Sequence, residues 1–175
     1  MDVVTREAQV AAAAQWRNIS TFAAVISRHY LQGRLPRCAD RLGPGLIALA
    51  EALEYREVRE SEASFPDTKY VHLIDRPLLW LPAVCQCILI AGLEIFAAAL
   101  EDPERMKYPA GPIWAAADGD DTLGMDRWHF WRRRLILLAD SECLAAELRE
   151  SLAEAARKME AMVRGTEVEV RQVPM

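Results

Sequence analysis

The feature that most constrains this chain is an apolar segment from Leu78 to Leu100, in which Gln86 and Glu94 are the two strongly polar residues. A segment of this length could span a membrane as a helix. However, Pro82 and Gly92 also interrupt it, and the neighbouring segments have polar faces that need water. We therefore expect a buried central helix rather than a membrane span.

Apolar residues recur at helical spacing on both sides of this segment. Near the N-terminus the steps are three and four residues, which predicts an amphipathic helix that ends near Gly33; its apolar residues are Trp16, Ile19, Ala23, Ile26 and Tyr30. A second stripe is Leu42, Leu46, Leu49 and Leu53. The last is Leu144, Leu148, Leu152, Ala155, Met159 and Met162.

These patterns predict an all-α fold. A chain of 175 residues is the size of one domain and can bury a core without disulfides or metal. We expect a single-domain bundle of about five helices around the apolar central helix, over residues 1–165. Residues 166–175 alternate like a strand but have no evident partner strand, so we expect a loose C-terminal tail.

Composition narrows the function classes. A net charge of −5 argues against non-specific nucleic-acid binding, which depends on neutralising phosphates. The four cysteines and three histidines lack metal-site spacing, so we expect reduced, mostly buried thiols, no metal and no cofactor. The N-terminal sequence "MDVVTREAQV" lacks the pattern of a signal peptide, which favours a cytoplasmic protein.

The segment "GMDRWHFWRRRLILL", Gly124–Leu138, combines aromatic residues with arginines. Consecutive helical residues are about 100° apart, so its three adjacent arginines fan around the helix instead of forming one basic face. The residues that do align are apolar: Trp128, Trp131, Leu135 and Leu138. Arg127 and Arg134 share another side, where a guanidinium can stack on an indole. We interpret this helix mainly as a packing element.

Several motifs resemble an uncharacterised fungal family of helical proteins, a domain of unknown function numbered three-six-three-two. One group is "GPIW", the short acidic linker that follows it, "LGMDRWHFWRRRL", and the final helix with "ARKMEAM". The others are the Leu-Pro-Ala and Ala-Gly motifs at residues 81–83 and 91–92, and "QWRNISTFAAVISR" near the N-terminus. The resemblance covers residues 15–163. Gly124 stands where that family tends to have a serine helix cap, and glycine caps less well than serine. The resemblance implies a helical fold and a fungal type, but no activity.

Candidate catalytic residues are Glu94, His72, Arg127 and Tyr30. His72 and Asp75 in "YVHLIDRP" are spaced as a base and its orienting carboxylate, although Asp75 is more simply a helix N-cap. Tyr30 could donate a hydrogen bond, or lie on the surface near a helix end. Glu94 either reaches the rim of the bundle or turns inward, where it would pair with Arg127 or Arg134.

Candidate substrate-binding residues are mostly aromatic or positively charged: Trp80, Gln86, Trp128, Trp131 and Arg134. Tryptophans at helical spacing belong to the core more often than to a ligand pocket. Gln86 lies about two turns before Glu94 and would face the same cavity.

Two function classes follow from these residues. One is a small cofactor-independent biosynthetic enzyme of the cyclase or isomerase type, cycloaddition included, that acts on an apolar carbonyl-containing metabolite in a tryptophan-lined pocket. The other is a helical protein–protein interaction module without catalytic activity. The enzyme needs a deep apolar pocket with converging polar groups, whereas the module needs an exposed apolar patch. We favour the enzyme on the sequence alone; its partner would be the metabolite, and a homodimer is compatible with either class.

Overall fold

The computed structural model describes residues 18–33, 44–55, 77–103 and 107–171, and within these ranges it contains helices and no strand. The helices are α1 in residues 18–31, α2 Pro44–Glu54, α3 Pro77–Glu101, α4 Pro112–Ala115, α5 Met125–Ala139 and α6 Ala146–Arg171. The predicted all-α fold is confirmed. The shortest element is α4, a single turn between α3 and α5.

Helix α3 is the centre of the bundle, with α2 and α6 packed against it. Its inward side chains, such as Leu81, Val84, Ile88 and Ile95, are fully buried. By length and composition, residues 80–101 could cross a membrane, with a mean hydropathy of 2.1. More than half of that stretch is buried inside the protein, which is the environment of a core helix.

Helix α3 continues through Pro82 without a break. Proline has no backbone N–H, so the carbonyl of residue 78 loses its helical hydrogen-bond donor at this position. A helix that starts at Pro82 is therefore excluded.

Helices α5 and α6 pack against each other and close one side of the bundle. The burial predicted for α5 is confirmed, because Trp128, Trp131 and Leu135 are at most 2% exposed. The Trp128 ring lies 5.2 Å from the ring of Phe96 on α3, which fixes α5 on the central helix. Gly124 occupies the N-cap of α5 in an extended conformation and provides no side-chain cap, as the sequence indicates.

The prediction for α1 was wrong about which residues face the bundle. The buried side chains are small: Ser20, Ala24 and Ser27. Ile19 of the predicted apolar stripe is 56% exposed, and Trp16 lies outside the described residues. Small side chains let the α1 backbone approach its neighbours closely, which favours this face over the larger aliphatic residues.

The closest approach occurs where Ser27 meets the start of α2. The Ser27 hydroxyl donates to the Ala23 carbonyl and accepts from the Gly45 N–H, both at 2.9 Å. A Cβ at Gly45 would lie 2.4 Å from Cys87 Sγ and 3.0 Å from Ser27 Oγ. The contact of three helices at this point therefore requires glycine.

The chain is also helical further toward its C-terminus than predicted. Helix α6 ends at Arg171, so residues 166–171 extend the helix instead of starting a tail. Alternating polar and apolar residues do not form a strand without a partner strand to bond to. The helix extends instead, because adding residues to an existing helix needs no new nucleation. Residues 172–175 lie outside the described part of the chain.

Candidate functional site

A polar cluster with many hydrogen bonds joins α2 to α5 inside the protein. We call the buried side chains of Glu54, Arg127 and Trp131 the clasp; all three are at most 2% exposed. The carboxylate and guanidinium pair through two hydrogen bonds, Arg127 Nε to Glu54 Oε1 at 2.7 Å and Arg127 Nη2 to Oε2 at 2.8 Å. This bidentate geometry is the strong form of an ion pair.

Both carboxylate oxygens of Glu54 have a second donor. Trp131 Nε1 donates to Oε1 at 2.5 Å, and the backbone N–H of Gly111 donates to Oε2 at 3.0 Å. A carboxylate can accept about four hydrogen bonds. Four donors therefore use the full capacity of Glu54.

Arg127 is equally well satisfied. Its remaining N–H groups bond to backbone carbonyls of the loop before α5: Nη1 to Tyr108 at 2.8 Å and Asp121 at 3.1 Å, and Nη2 to Pro109 at 3.3 Å. The guanidinium carbon also lies 5.6 Å from the centre of the Trp131 ring, within the range of a cation–π contact. All five guanidinium N–H groups are thus engaged, and none is free for a substrate.

Glycine allows this loop to reach the clasp. A Cβ at Gly111 would lie 2.6 Å from Cβ of Glu54, and one at Gly119 would lie 1.9 Å from the indole of Trp114. The indole N–H of Trp114 in turn donates to the Asp120 carbonyl at 2.8 Å. The "GPIW" motif therefore builds a tight turn that presents a backbone N–H to Glu54.

Acidic and phenolic groups extend the clasp toward the surface. The Tyr108 hydroxyl donates to Glu51 at 2.9 Å, and burial together with that carboxylate raises the pKa of Tyr108. Burial and the neighbouring Glu51 and Glu54 also raise the pKa of Tyr55. Both phenols stay protonated at neutral pH, so they are hydrogen-bond donors rather than bases.

A second site lies at the N-terminal end of α2, among α1, α2 and α3. It is an open cavity of about 240 Å³ that we call the groove. Its lining is Ile19, Ser20, Ala23, Ala24, Gly45, Ile47, Ala48, Trp80, Ala83 and Cys87. No charged residue is among them. Burial raises the pKa of Cys87 to about 12, so this thiol is not a nucleophile at neutral pH.

The predicted site residues do not converge. Arg127 and Trp131 belong to the clasp, Trp128 is buried against Phe96, and Trp80 lines the groove. Arg134 donates to the Leu53 carbonyl at 3.2 Å. The predicted pairing of Arg127 with Glu94 is wrong, because the closer Glu54 of α2 occupies the guanidinium.

Glu94 instead lies half-buried on α3, where Gln32 Nε2 donates to its Oε1 at 2.6 Å. It reaches the rim of the bundle, the simpler of its two predicted positions. Gln86 and Tyr30 are half-buried on α3 and α1, and neither lines the groove. His72 lies outside the described residues, as does its predicted partner Asp75.

Sequence reasoning missed Glu54 and the groove. Glu54 follows Leu46 and Ala50 at steps of four, which puts its carboxylate on the buried face of α2. That spacing was a usable signal. Among the residues that the structure describes, no group of three or more His, Cys, Asp or Glu side chains is arranged to hold a metal ion.

Comparison with known proteins gives one match. A family model described as a protein of unknown function, DUF3632, matches residues 2–135. The chain belongs to the DUF3632 family. The match spans both the clasp and the groove and ends within α5, before α6 begins. For this DUF3632 protein, searches of curated proteins and of solved structures found no significant match.

Proposed function

We propose that this DUF3632 protein is a helical interaction module, which binds an apolar side chain of a partner protein in the groove. The observation that carries the proposal is the exposed apolar surface of α1, one of the helices that line the groove. Ile19 at the rim is 56% exposed, and Phe22, one turn further along α1, is 67% exposed. Exposed apolar residues next to an apolar cavity are typical of protein-binding surfaces.

The exposed residues of α1 have the spacing of a helix-pairing seam. Ile19, Phe22 and Ile26 follow each other at steps of three and four, and Ile26 is half-buried. This repeat is that of apolar residues that pack between two helices. A partner helix with apolar residues at the same spacing would cover the seam.

The size of the groove also favours a side chain as its occupant. Pockets for drug-sized ligands measure roughly 300–1,000 Å³. A closed apolar cavity of about 150 Å³ is large enough for benzene. The groove, at about 240 Å³, lies between these sizes and suits one aromatic or large aliphatic group.

The cyclase or isomerase that we favoured on the sequence stays a prediction, as does the fungal type implied by the resemblance. Such an enzyme needs polar groups aimed at a developing charge. In the described lining of the groove, Ser20, Trp80 and Cys87 carry the polar side-chain atoms, and the donors of Arg127 are engaged in the clasp. This distribution supports binding better than catalysis.

Fluorescence titration with anilinonaphthalene sulfonate, a dye that brightens in apolar sites, tests whether the groove binds. Ala23→Trp places an indole at the groove lining, and Ala161→Trp adds the same group on the exposed side of α6 as a matched control. We expect the first variant to lose dye binding and the second to keep it. Equal binding by both variants would overturn the proposal.

Native mass spectrometry of the purified protein tests the kind of occupant. We expect no retained small molecule. A metabolite that is carried by the wild type and lost from Ala23→Trp would replace the interaction module with a small-molecule site.

A further inference from the structure

We propose that the occupant of the groove is Phe22 of a second copy of this chain, so that the protein forms a two-fold symmetric dimer through α1. This inference rests on the proposed function and names its partner. Helix α1 carries both an exposed phenyl ring, that of Phe22, and residues that line an apolar cavity of about 240 Å³. A two-fold interface requires such a self-complementary surface, because each copy contributes the same residues.

The projecting ring and the cavity are close neighbours on α1. Ile19 and Ala23 line the groove, and Phe22 lies between them in sequence, on the side of the helix turned away from the bundle. Its exposure of 67% is the highest among the large apolar side chains of the described residues. A cavity that exceeds the size needed for benzene accommodates its ring.

The charge on α1 permits two copies to approach. Residues 18–31 contain no acidic residue, and their titratable side chains are Arg28, His29 and Tyr30, all near the C-terminal end. The positions that flank the seam, including Asn18 and Val25, are uncharged. Charges at such flanking positions usually set partner choice, and like charges there would repel a second copy. The net charge of −5 is therefore not concentrated at this contact.

The other exposed apolar residues lack this combination. Leu93 and Leu100 on α3, and Ile136 and Leu137 on α5, are exposed, but none is adjacent in sequence to a residue that lines the groove. Leu137 is 62% exposed and thus resembles Phe22 in exposure, which makes it the matched control position.

Sedimentation velocity over a range of protein concentrations tests the dimer. We expect Phe22→Glu and Ala23→Trp to weaken self-association, whereas Leu137→Glu should not. Each buried phenyl contact contributes about tenfold or more to affinity, so a symmetric dimer that loses both contacts should dissociate about a hundredfold more readily. Circular dichroism of each variant confirms that the helices are intact.

Mixing the two weakened variants provides a test that misfolding cannot imitate. Phe22→Glu keeps its groove and Ala23→Trp keeps its phenyl ring, so the mixture restores one of the two contacts. We expect the mixture to associate about tenfold more tightly than either variant alone. No gain on mixing, or a wild type that stays monomeric at all concentrations, would overturn the dimer.

The dye titration, repeated on Phe22→Glu so that no phenyl ring of a second copy competes for the groove, separates this inference from the function on which it rests. A monomeric wild type that binds the dye through the groove would remove the second copy as occupant and leave the interaction module standing. A wild type that forms open-ended chains rather than dimers would also refute the two-fold contact, because a one-sided contact does not close.

Discussion

The strongest stability prediction concerns the clasp. Replacing Arg127 with Met leaves the carboxyl group of Glu54 buried without its guanidinium partner, with Trp131 and Gly111 as its remaining donors. Removing one partner of a buried ion pair typically costs about 3–5 kcal/mol, because the other charge remains without compensation. Glu54→Gln should cost a similar amount. Either loss is a large share of the roughly 5–15 kcal/mol that stabilises a domain of this kind.

The double variant Glu54→Gln/Arg127→Met distinguishes an ion pair from two independent packing residues. We expect its destabilisation to resemble that of one single variant, since it leaves no unpaired charge. The coupling free energy should therefore be at least about 2 kcal/mol. Urea unfolding followed by circular dichroism measures all four corners of this cycle. Costs that simply add, or single variants that lose under about 1 kcal/mol, would refute the reasoning.

Three further predictions concern single contacts, and equilibrium unfolding measures the first two. Gly119→Ala should lower the free energy of unfolding by about 1–3 kcal/mol or more, because its Cβ would overlap the Trp114 indole. The control Gly165→Ala, in open space on α6, should raise it by about 0.5–1 kcal/mol. Equal effects of the two substitutions would contradict the close approach at Gly119. Trp131→Phe should cost about 1–3 kcal/mol more than Trp128→Phe, since the Trp131 N–H donates to Glu54 and the buried Trp128 N–H has no partner within the described residues. In a Cys38→Ser background at pH 8, an aromatic disulfide reagent should modify the half-buried Cys143 in the native protein. It should modify Cys85 and Cys87 only after unfolding, because burial raises the pKa of both thiols to about 12. Fast reaction of either buried thiol in the native protein would disprove their protection.

Much of the fold could be predicted because apolar periodicity reports which side of a helix is buried. The stripe of α5 was identified correctly, since Trp128, Trp131 and Leu135 are too large and apolar to lie elsewhere. For α1 the same rule failed. There the close contact of Ser27 with Gly45 selects a face of small residues, which a search for large apolar side chains does not detect.

The candidate site was harder to predict because its residues meet across long sequence separations. Arg127 was singled out from the sequence, but its partner lies on α2, and the sequence offered several carboxylates. Glu94 was predicted to be the partner of Arg127 or Arg134 because it lies inside the most apolar segment of the sequence. In the structure, Glu94 reaches the rim of the bundle beside Gln32, and Glu54 is the carboxylate buried against Arg127.

The most direct test of the binding surface is a methyl NMR spectrum of isoleucine-labelled Phe22→Glu protein, whose groove is free of a second copy's phenyl ring, recorded while anilinonaphthalene sulfonate is added. Ile19 and Ile47 line the groove, Ile95 is buried in the core, and Ile136 is exposed on α5. We predict that the methyl signals of Ile19 and Ile47 shift, while those of Ile95 and Ile136 stay in place. Shifts confined to Ile136, or no shift at Ile19 and Ile47, would contradict the assignment of the groove as the binding site.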